Sequence, residues 1–572
     1  MIREIRRRVV PDVVLDAKLH PLLRRVYAAR GVASDAELKL SLDQLIPVGQ
    51  LDGVTQAVEL LIAHRARGSR ILVVGDFDAD GATSTALVVR QLRRLGFADV
   101  QYMVPNRFQF GYGLTPEIVQ LAAKRAPNLI ITVDNGVSSI AGVAAARAAG
   151  IDTLVTDHHL PGKELPAATA MVNPNLQTNA FASKALAGVG VAFYTMAALT
   201  RELVTRGECN ADATSIAELL DLVAAGTVAD LVPLDFNNRI LVHQGLRRIR
   251  SDRCVAGVRA ILEVAGKRID KVVAADLAFQ VGPRLNAAGR LDDMSIGIEC
   301  LLTDDLDRAR ALAAELAQLN HERRDLEQRM QQEALAIVAD MHEDQTKLPL
   351  GVCLYEESWH QGVVGLVASR VKDRVHRPVI AMARADHATL KGSARSVPGV
   401  HIRDVLDAIA ARHPTLVDKF GGHAMAAGLT IAANRFDEFS TAFNEEVSHW
   451  MTVDDAQGVV QSDGEVSRDD FTLEAARELR AGGPWGQHFP EPVFDGRFTV
   501  VETRTLGERH LKLKVRTEAG TTCDAIAFRY FDADDAEPVA NTQQVELAYR
   551  LDVNEYNGTE RLQLVVEHLR KL

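Results

Sequence analysis

Carboxylate and imidazole side chains follow four apolar, β-rich runs in the first 230 residues of the chain. The runs are ILVVGDFDAD (71–80), LIITVDNG (129–136), DTLVTDHH (152–159) and LVAAGTVAD (222–230). In an open parallel sheet, side chains placed just after separate strands meet outside the carboxyl ends of those strands. Carboxylates gathered in one cleft repel one another, and a bound divalent cation turns that repulsion into coordination. The pattern therefore predicts a metal centre.

The first run ends in Asp76, Asp78 and Asp80, which occupy every second position. In an extended segment these side chains would project to one side and offer oxygen ligands suited to Mg²⁺ or Mn²⁺. A single Asp at such a place is equally well explained as the N-cap of a helix. An EF-hand is excluded, because its loop requires a Glu where this chain has Leu87.

Two adjacent histidines, His158 and His159, follow Asp157 at the end of the third run. Adjacent histidines are often surface residues. Here they follow a predicted strand, as do the acidic motifs, including Asp134 of the DNG phrase. We therefore expect at least one imidazole to be a metal ligand. Mixed carboxylate and imidazole ligation favours Mn²⁺ over Mg²⁺ and leaves Zn²⁺ and iron open.

Composition describes an ordinary soluble globular protein. The 572 residues are 47% hydrophobic and 25% charged, with a formal net charge of −11. That length allows several domains. No apolar run is long enough to span a membrane, and the basic N-terminus lacks the apolar segment of a secretory signal, so we expect a cytoplasmic protein without membrane contact. The acidic average still permits a basic groove for nucleic acid.

The pattern of elements predicts a multi-domain α/β protein. The predicted units are a helical N-terminal extension (1–50), a doubly wound parallel-sheet domain (51–240), a helical region with a long connector (241–347), a second α/β domain (348–451) and a C-terminal β domain (452–572). Residues 303–341 could form one long helix or two shorter ones.

The C-terminal unit has five strand-like runs, which favour a small barrel of the oligonucleotide-binding kind. Within HLKLKVR (510–516), apolar and basic residues alternate strictly. This alternation places Lys512, Lys514 and Arg516 on the face opposite the core, where they would contact DNA phosphates.

Several of these phrases resemble the motifs of a known family. DFDADGATS, DNG, DHH and GTVADLVPLDFNNR are similar to the four motifs of the DHH phosphoesterase superfamily. GPRLNAAGRLDD (282–293), KGSARS (391–396) and GGHAMAAG (421–428) are similar to phrases of the RecJ single-stranded-DNA exonucleases, which carry a DHHA1 domain. The resemblance covers nearly the whole chain, and the first 50 residues add little to it.

The resemblance implies a centre of two divalent metal ions, with Mn²⁺ expected and Mg²⁺ as the alternative. Its implied ligands are Asp76, Asp78, Asp80, Asp134, His158 and Asp230. Asp134 would bridge the ions, and His159 would face the scissile phosphate. Paired metals of this kind hydrolyse phosphodiesters by in-line attack of an activated water, so no covalent nucleophile is required.

The resemblance also implies residues that bind the strand. Ser393, Arg395 and Arg107 would hold a terminal 5′-phosphate, although Arg395 could instead form a surface salt bridge. Gly421, Gly422 and His423 would clamp the scissile phosphate, unless they form only a tight turn. A third group would position the DNA, or else form only a helix N-terminus: Arg284, Asn286 and Arg290.

The predicted function is that of a 5′→3′ exonuclease that hydrolyses single-stranded DNA to mononucleotides in DNA repair and recombination. The resemblance suggests a single-strand-binding protein and a helicase as partners. One alternative is an oligonucleotide or cyclic-dinucleotide phosphodiesterase, which should be shorter. Another is a non-catalytic replication scaffold, which would usually have lost metal ligands.

Overall fold

The computed structural model describes residues 4–106, 110, 112–344, 348–452, 455–532, 538–556 and 558–572. Within these ranges, no helix has both the length and the apolar character needed to cross a lipid bilayer. The described chain combines a parallel sheet, a mixed sheet and a closed barrel with helices around them. The predicted fold class is therefore confirmed.

The N-terminal segment is only partly helical. It contains β1 (Glu4–Arg7), α1 (Pro21–Ala29) and three short 3-10 turns. Strand β1 pairs in parallel with a short strand from the C-terminal part of the chain, Val459–Ser462. The prediction of a helical extension did not include this strand, because a four-residue strand whose partner lies more than 450 residues further along the chain leaves no local pattern to read.

A five-stranded parallel sheet forms the core of the first domain, with the strand order β3-β2-β4-β5-β6. Its strands are β2 (Arg70–Gly75), β3 (Asp99–Met103), β4 (Leu129–Val133), β5 (Asp152–Thr156) and β6 (Ala170–Val172). Successive residues of β2 enter separate apolar clusters on the two faces of the sheet, as in a doubly wound fold. The strand order reverses between β2 and β4, which makes their carboxyl ends the expected ligand crevice.

The described residues of this domain include six α-helices of eight or more residues. They are α2 (Val54–Ala66), α3 (Ala79–Arg94), α4 (Pro116–Ala123), α5 (Ile140–Ala148), α6 (Gly188–Thr205) and α7 (Leu220–Ala229). Helix α7 corrects the expectation that the run 222–230 is strand-like. Every residue from Leu220 to Val228 is buried. A helix that is covered on all sides has the same continuous apolar sequence as a buried strand, so periodicity cannot distinguish them.

Helices connect the two lobes. They are α8 (Phe236–Arg250), α9 (Ala256–Val264), α10 (Ala274–Asp276), α11 (Gly282–Leu291), α12 (Ser295–Leu302) and α13 (Leu306–Asp344). A π-helical turn, Leu277–Val281, joins α10 to α11. The 39 residues of α13 form a single helix, about 60 Å long at 1.5 Å per residue. The structure thus selects the single long connector from the two predicted possibilities.

The second lobe contains a mixed sheet with the strand order β10-β11-β9-β8-β7. Its strands are β7 (Val352–Tyr355), β8 (Val379–Arg384), β9 (Thr389–Arg395), β10 (Lys419–Gly422) and β11 (Ala426–Ala432). Its helices are α14 (Val364–Val375), α15 (Ile402–Arg412) and α16 (Phe436–Val447). Only β7 and β8 pair in parallel, and β9, β10 and β11 form antiparallel pairs.

The C-terminal part begins with β12 (Val459–Ser462) and α17 (Leu473–Ala481) and ends in a closed barrel. The barrel strands are β13 (Phe494–Leu506), β14 (His510–Thr517), β15 (Thr522–Ala527), β16 (Gln544–Tyr556) and β17 (Thr559–Lys571). All five predicted strands are present. The predicted alternation in β14 also holds, with Leu511, Leu513 and Val515 buried inside the barrel.

Candidate metal centre

The three acidic residues of the first motif lie where β2 turns into α3. Asp78 is the N-cap of α3, and its carboxylate accepts a hydrogen bond from the Gly81 N–H at 2.9 Å. Asp80 lies in the first turn of the helix. The expectation of one extended segment is therefore wrong, because a helix turns each residue by about 100°. Asp80 consequently joins a different group of ligands from Asp76 and Asp78.

Asp134 and His158 approach each other from the ends of β4 and β5. The Nε2 atom of His158 lies 3.1 Å from Oδ1 of Asp134, 3.6 Å from Oδ2 of Asp230 and 4.0 Å from Oδ2 of Asp80. Both His158 Nε2 and Asp134 Oδ1 are buried and have no hydrogen-bond partner among the described residues. Two orphaned polar atoms that face each other in this way fit a shared cation.

The potential ligand atoms form three overlapping groups, and within each group all atoms lie within 4.8 Å of one another. The groups are Asp76–Asp78–Asp134, Asp134–His158–His159 and Asp80–His158–Asp230. The structure therefore brings all six predicted metal ligands together. Asp134 belongs to two of the groups, as expected for a ligand that is shared.

Electrostatics show that this centre is unfavourable without a cation. Burial, together with the neighbouring carboxylates, raises the pKa of Asp80 to about 7 and raises the pKa of Asp134 and Asp230 well above the usual range. Burial and the adjacent His159 lower the pKa of His158 to about 4. The imidazole of His158 is thus neutral at neutral pH, which is the form that binds metals. The donor set of carboxylate oxygens and a neutral imidazole fits a divalent ion such as Mn²⁺ or Mg²⁺.

The N-terminus of α6 holds one side of the centre. The N–H groups of Gly188 and Val189 donate to the Asp80 carboxylate at 2.6 and 2.9 Å, where the helix dipole favours negative charge. A Cβ atom on Gly188 would lie 2.8 Å from Oδ1 of Asp134, so only glycine allows this approach. Gly188 was not among the predicted site residues, and its signal in the sequence is the small-residue phrase at the start of an apolar run.

His159 is positioned by Asp157, which is not itself in any of the metal groups. The Oδ1 atom of Asp157 lies 2.8 Å from Nδ1 of His159, and its Oδ2 accepts from the Val137 N–H. Burial lowers the pKa of His159, but the hydrogen bond to Asp157 and the nearby carboxylates outweigh burial and raise it. Asp157 is thus a positioning residue, a role that its place in the DHH motif did not predict.

The second lobe contributes His423 to the same cleft. The rings of His159 and His423 are nearly parallel, with centroids 6.4 Å apart. Gly422, just before His423, has a φ of +149°, and a Cβ atom there would lie 2.4 Å from the Ala426 carbonyl oxygen. The β10–β11 turn therefore requires glycine at position 422. It places His423 beside His159, and the clamp on the scissile phosphate stays a prediction.

Ser393 and Arg395 lie together on β9. Nη1 of Arg395 donates to Oγ of Ser393 at 2.9 Å, and a Cβ atom on Gly365 of α14 would lie 2.9 Å from both side chains. Burial lowers the pKa of Arg395. No carboxylate pairs with the Arg395 guanidinium among the described residues. The alternative of a surface salt bridge is therefore excluded for that part of the chain. Arg107, the third residue of the predicted phosphate pocket, lies outside the described residues.

The residues of GPRLNAAGR have different roles. Asn286 accepts a hydrogen bond from the Ala79 N–H at 2.8 Å and so anchors the first motif to α11. Arg290 donates to the Gly362 carbonyl oxygen at 2.9 Å, across to the second lobe. Arg284 donates to Gln280, and its Nε atom is buried without a partner in the described chain. Two of the three thus make contacts that hold the site together.

This combination of fold and centre defines a DHH-type domain with an acidic metal site. The family signature "DHH family, N-terminal domain" matches residues 70–227, "DHHA1 domain" matches 327–449, and "RecJ OB domain" matches 462–568.

Curated relatives give the particular family. The chain is 53% identical to the single-stranded-DNA-specific exonuclease RecJ of Dickeya dadantii, over 100% of this chain and 99% of the relative. It is 52% identical to the Escherichia coli protein of the same name, over 99% of each chain. The chain belongs to the RecJ family of single-stranded-DNA-specific exonucleases.

Solved structures agree with this membership. The crystal structure of RecJ from Thermus thermophilus in complex with Mn²⁺ matches with a TM-score of 0.81 and 31% identity, covering 97% of this chain and 76% of that one. A manganese-bound RecJ exonuclease matches with a TM-score of 0.59 and 35% identity, covering 70% of this chain and 96% of that one. Divalent metal is thus part of this family's chemistry.

Proposed function

We propose that this protein is an exonuclease that hydrolyses single-stranded DNA from its 5′ end to mononucleotides, in DNA repair and recombination, with two divalent ions at its centre. The observation that carries the proposal is the position of Asp134, which faces carboxylates on one side and imidazoles on the other. The names of the curated relatives support the choice of substrate.

Different residues would bind the two ions and the phosphate. Asp76, Asp78 and Asp134 would hold one ion, and Asp80, His158 and Asp230, with Asp134 shared, would hold the other. Ions held by these residues would supply Lewis-acid chemistry, namely activation of a water and stabilisation of the charge on the phosphodiester. His159, oriented by Asp157, and His423, on the opposite lobe, can donate hydrogen bonds to the phosphate between them.

Arg395 and Ser393 set the direction of digestion in this proposal. A buried guanidinium without a carboxylate partner attracts a doubly charged terminal phosphate more strongly than an internal phosphodiester. The hydroxyl of Ser393 already binds this guanidinium and can donate to the same phosphate. The motif resemblance adds Arg107, which lies outside the described residues, to the proposed pocket.

The test is digestion of one single strand that carries distinct labels at its two ends. We expect Mn²⁺-dependent release of mononucleotides from the 5′ label first, and little release from blunt duplex. Release from the 3′ label first would contradict the polarity. Cleavage confined to very short strands or cyclic dinucleotides would favour the phosphodiesterase alternative, and no cleavage of any strand would favour the scaffold.

We further propose that the protein acts in the cytoplasm and cooperates with a single-strand-binding protein and a helicase. A nuclease that admits only single strands needs another protein to open duplex DNA. Adding a helicase that unwinds from the same end should therefore increase nucleotide release from duplex substrates, and no increase would contradict this partnership.

A further inference from the structure

A cavity of about 260 Å³ opens beside the metal centre, at the carboxyl ends of β2 and β3. Phe77, which lies between two predicted metal ligands in the sequence, forms one wall. The segment Val104–Asn106, which follows β3, forms another, and the end of α11 with the turn into α12 forms the third. None of the predicted metal or phosphate ligands among the described residues lines it. A cavity of this size suits one heterocyclic ring with its sugar.

Direct contacts fasten the walls of this cavity to one another. A Cβ atom on Gly289 would lie 1.7 Å from the Phe77 carbonyl oxygen, so α11 touches the backbone of the first motif. The Tyr102 hydroxyl donates to Oε1 of Glu299 at 2.6 Å, which ties β3 to α12. The ring of Phe77 meets the ring of Tyr112 edge-on, with centroids 6.3 Å apart. Because each wall is held by a neighbour, the cavity has a defined shape.

The lining of the cavity combines apolar groups with hydrogen-bond acceptors. Phe77, Leu291 and Met294 contribute an aromatic ring, an aliphatic chain and a thioether, which suit the face of a flat ring. Asp292 and Asp293 line the same cavity and are exposed to solvent. An ionised carboxylate can only accept hydrogen bonds. The pair therefore selects a ligand whose edge carries N–H donors.

The same two carboxylates determine which ligands are excluded. They repel phosphate groups, so a sugar–phosphate chain must lie outside the cavity, toward the metal centre. Neither Asp292 nor Asp293 belongs to a group of side chains that could hold a metal ion within the described chain. The remaining kind of ligand is an uncharged flat ring with N–H groups on its edge. In a DNA strand, that ring is a nucleobase, and stacking on apolar side chains with hydrogen bonds at the edge is how proteins read an unpaired base.

The place of the cavity along the strand indicates which base it holds. The phosphodiester that is cleaved joins the terminal nucleotide to the next one, so one of these two bases must lie beside the metal centre. Asn106, on the wall of the cavity, directly precedes Arg107 in the sequence. The motif resemblance assigns Arg107 to the terminal 5′-phosphate. The base of the terminal nucleotide is therefore the one that belongs to this cavity.

We propose that this cavity binds the base of the 5′-terminal nucleotide, with the face of the base against Phe77 and Met294 and its edge toward Asp292 and Asp293. This inference rests on the proposed digestion from the 5′ end. It makes the nuclease sensitive to the identity of the terminal base. Guanine presents two adjacent N–H groups to a carboxylate, and adenine and cytosine each present an amino group. Thymine has no amino group, and its carbonyl oxygens would meet the carboxylates, so it is the least favoured base.

The test uses 5′-phosphorylated single strands that are identical except for the terminal base, and it measures kcat/KM for release of the labelled terminal nucleotide in Mn²⁺. The full-length protein should release terminal guanine roughly fivefold faster than terminal thymine. This is the lower end of the discrimination by one bidentate base contact, roughly five- to a hundredfold, because both carboxylates are exposed. In EDTA, the affinities of the same strands, measured by fluorescence anisotropy, should follow the same order without hydrolysis.

Two variants test the edge and the size of the cavity separately. Asp292→Asn keeps the shape of the side chain but adds a donor, so it should narrow or reverse the preference for guanine over thymine. Leu291→Phe narrows the cavity and should slow the release of terminal purines more than that of terminal pyrimidines. Asp325→Asn removes an exposed carboxylate from α13, away from the cavity, and is the matched control. It should leave the order of the bases unchanged.

Equal rates and equal affinities for all four terminal bases in the unchanged protein would overturn the pocket. An Asp292→Asn protein that loses activity on every strand alike would overturn it as well, because that result assigns the carboxylate a structural role. Thermal unfolding of each variant verifies that the fold is retained. Release from the 3′ end first would instead refute the proposed polarity, so the two failures can be distinguished.

Discussion

Asp134 combines three features that are unfavourable unless a ligand stabilises them. Its backbone is left-handed, with a φ of +60°, its carboxylate is buried, and its Oδ1 atom has no hydrogen-bond partner in the described chain. A left-handed non-glycine residue costs about 1–2 kcal/mol. Strain and orphaned polar atoms at one residue mark functional sites, where neighbouring structure maintains them.

Asp134→Asn should abolish nucleotide release, because the amide keeps the shape of the side chain but cannot bridge two cations. The matched control is Asp221→Asn, which alters another buried carboxylate, one that binds the Val255 N–H away from the centre. The control should retain most of its activity. Near-normal hydrolysis by Asp134→Asn at saturating Mn²⁺ would refute the shared-ligand assignment.

Asp80 makes a pH dependence testable in the metal-free protein. Its pKa is raised from 3.8 to about 7, so the folded protein holds a proton that the unfolded chain releases. The stabilising contribution of this proton is complete below about pH 4 and is lost as the pH rises to about 7. In EDTA, the melting temperature should therefore fall between these values, and Mn²⁺ should restore it at the upper end. If the melting temperature of the metal-free protein instead rises between these two pH values, the raised pKa of Asp80 is contradicted.

Arg395→Ala tests the origin of polarity. A charge-assisted phosphate contact contributes about 1.5–3 kcal/mol, so cleavage of 5′-phosphorylated strands should fall roughly ten- to a hundredfold. Their advantage over 5′-hydroxyl strands should shrink as well. Arg395→Lys keeps the charge without the planar fork and should show an intermediate loss. Equal losses on both substrates would assign Arg395 a general structural role.

At the scale of elements, the centre depends on how closely a helix end can approach a strand end. The first N–H groups of α6 bind Asp80, while the Cα of Gly188 lies against Asp134 at the end of β4. Helix α7 supplies Asp230 at its C-terminus, and α11 supports the first motif through Asn286. The ends of several helices and strands therefore meet at one point.

Gly188→Ala should lower metal affinity and activity together, because the new methyl group would lie 2.7–2.9 Å from atoms of Asp134. Gly190→Ala is the control on the same helix. Its methyl group would meet the flexible end of the Leu186 side chain at 3.0 Å and would not touch the centre. Mn²⁺ titration by calorimetry separates the two variants, and equal Mn²⁺ affinities would show that the close approach is unimportant.

At the scale of the whole molecule, the N-terminal segment packs against the segment that precedes the C-terminal barrel. Arg30 forms a buried ion pair with Asp463 at 2.7 Å, and β1 completes a small sheet with β12. Tyr27, Trp485 and Phe489 stack on one another, and Arg239 of α8 lies 4.3 Å from the Phe489 ring centroid. Deleting residues 455–572 would expose these surfaces, so substitutions on the barrel surface are the cleaner way to test its role.

Replacing Lys512, Lys514 and Arg516 together with Ala should weaken binding to long single strands and flatten its salt dependence by about 0.7 per lost phosphate contact. Since carboxylates flank Lys514, we expect the change to match about two contacts. The side chain of Arg550 is already paired with Glu491 and Glu567. Arg550→Ala is therefore the control and should leave the slope unchanged. An unchanged slope in the triple variant would show that DNA does not follow this face.

The amino-acid sequence alone determined those features that leave a local pattern. The motifs around Asp76, Asp134 and His158 follow the ends of strands or buried runs, so a metal centre at these residues could be predicted before their geometry was known. The alternation in residues 510–516 likewise predicted a half-buried strand correctly, because side chains in a strand alternate between its two faces. Motif resemblance added Ser393, Arg395 and His423, whose local patterns carry no comparable signal.

Tertiary structure decided the features that depend on distant neighbours. Helix α7 could be read as a strand because complete burial removes the helical pattern. Strand β1 could not be foreseen because its partner lies more than 450 residues further along the chain. A bulge between Val500 and Glu502 sets which residues of β13 flank Lys512 and Lys514. The sequence determined which groups are available for chemistry, and packing between distant segments determined which of them face one another, because contacts between distant segments leave no periodic signal in either segment.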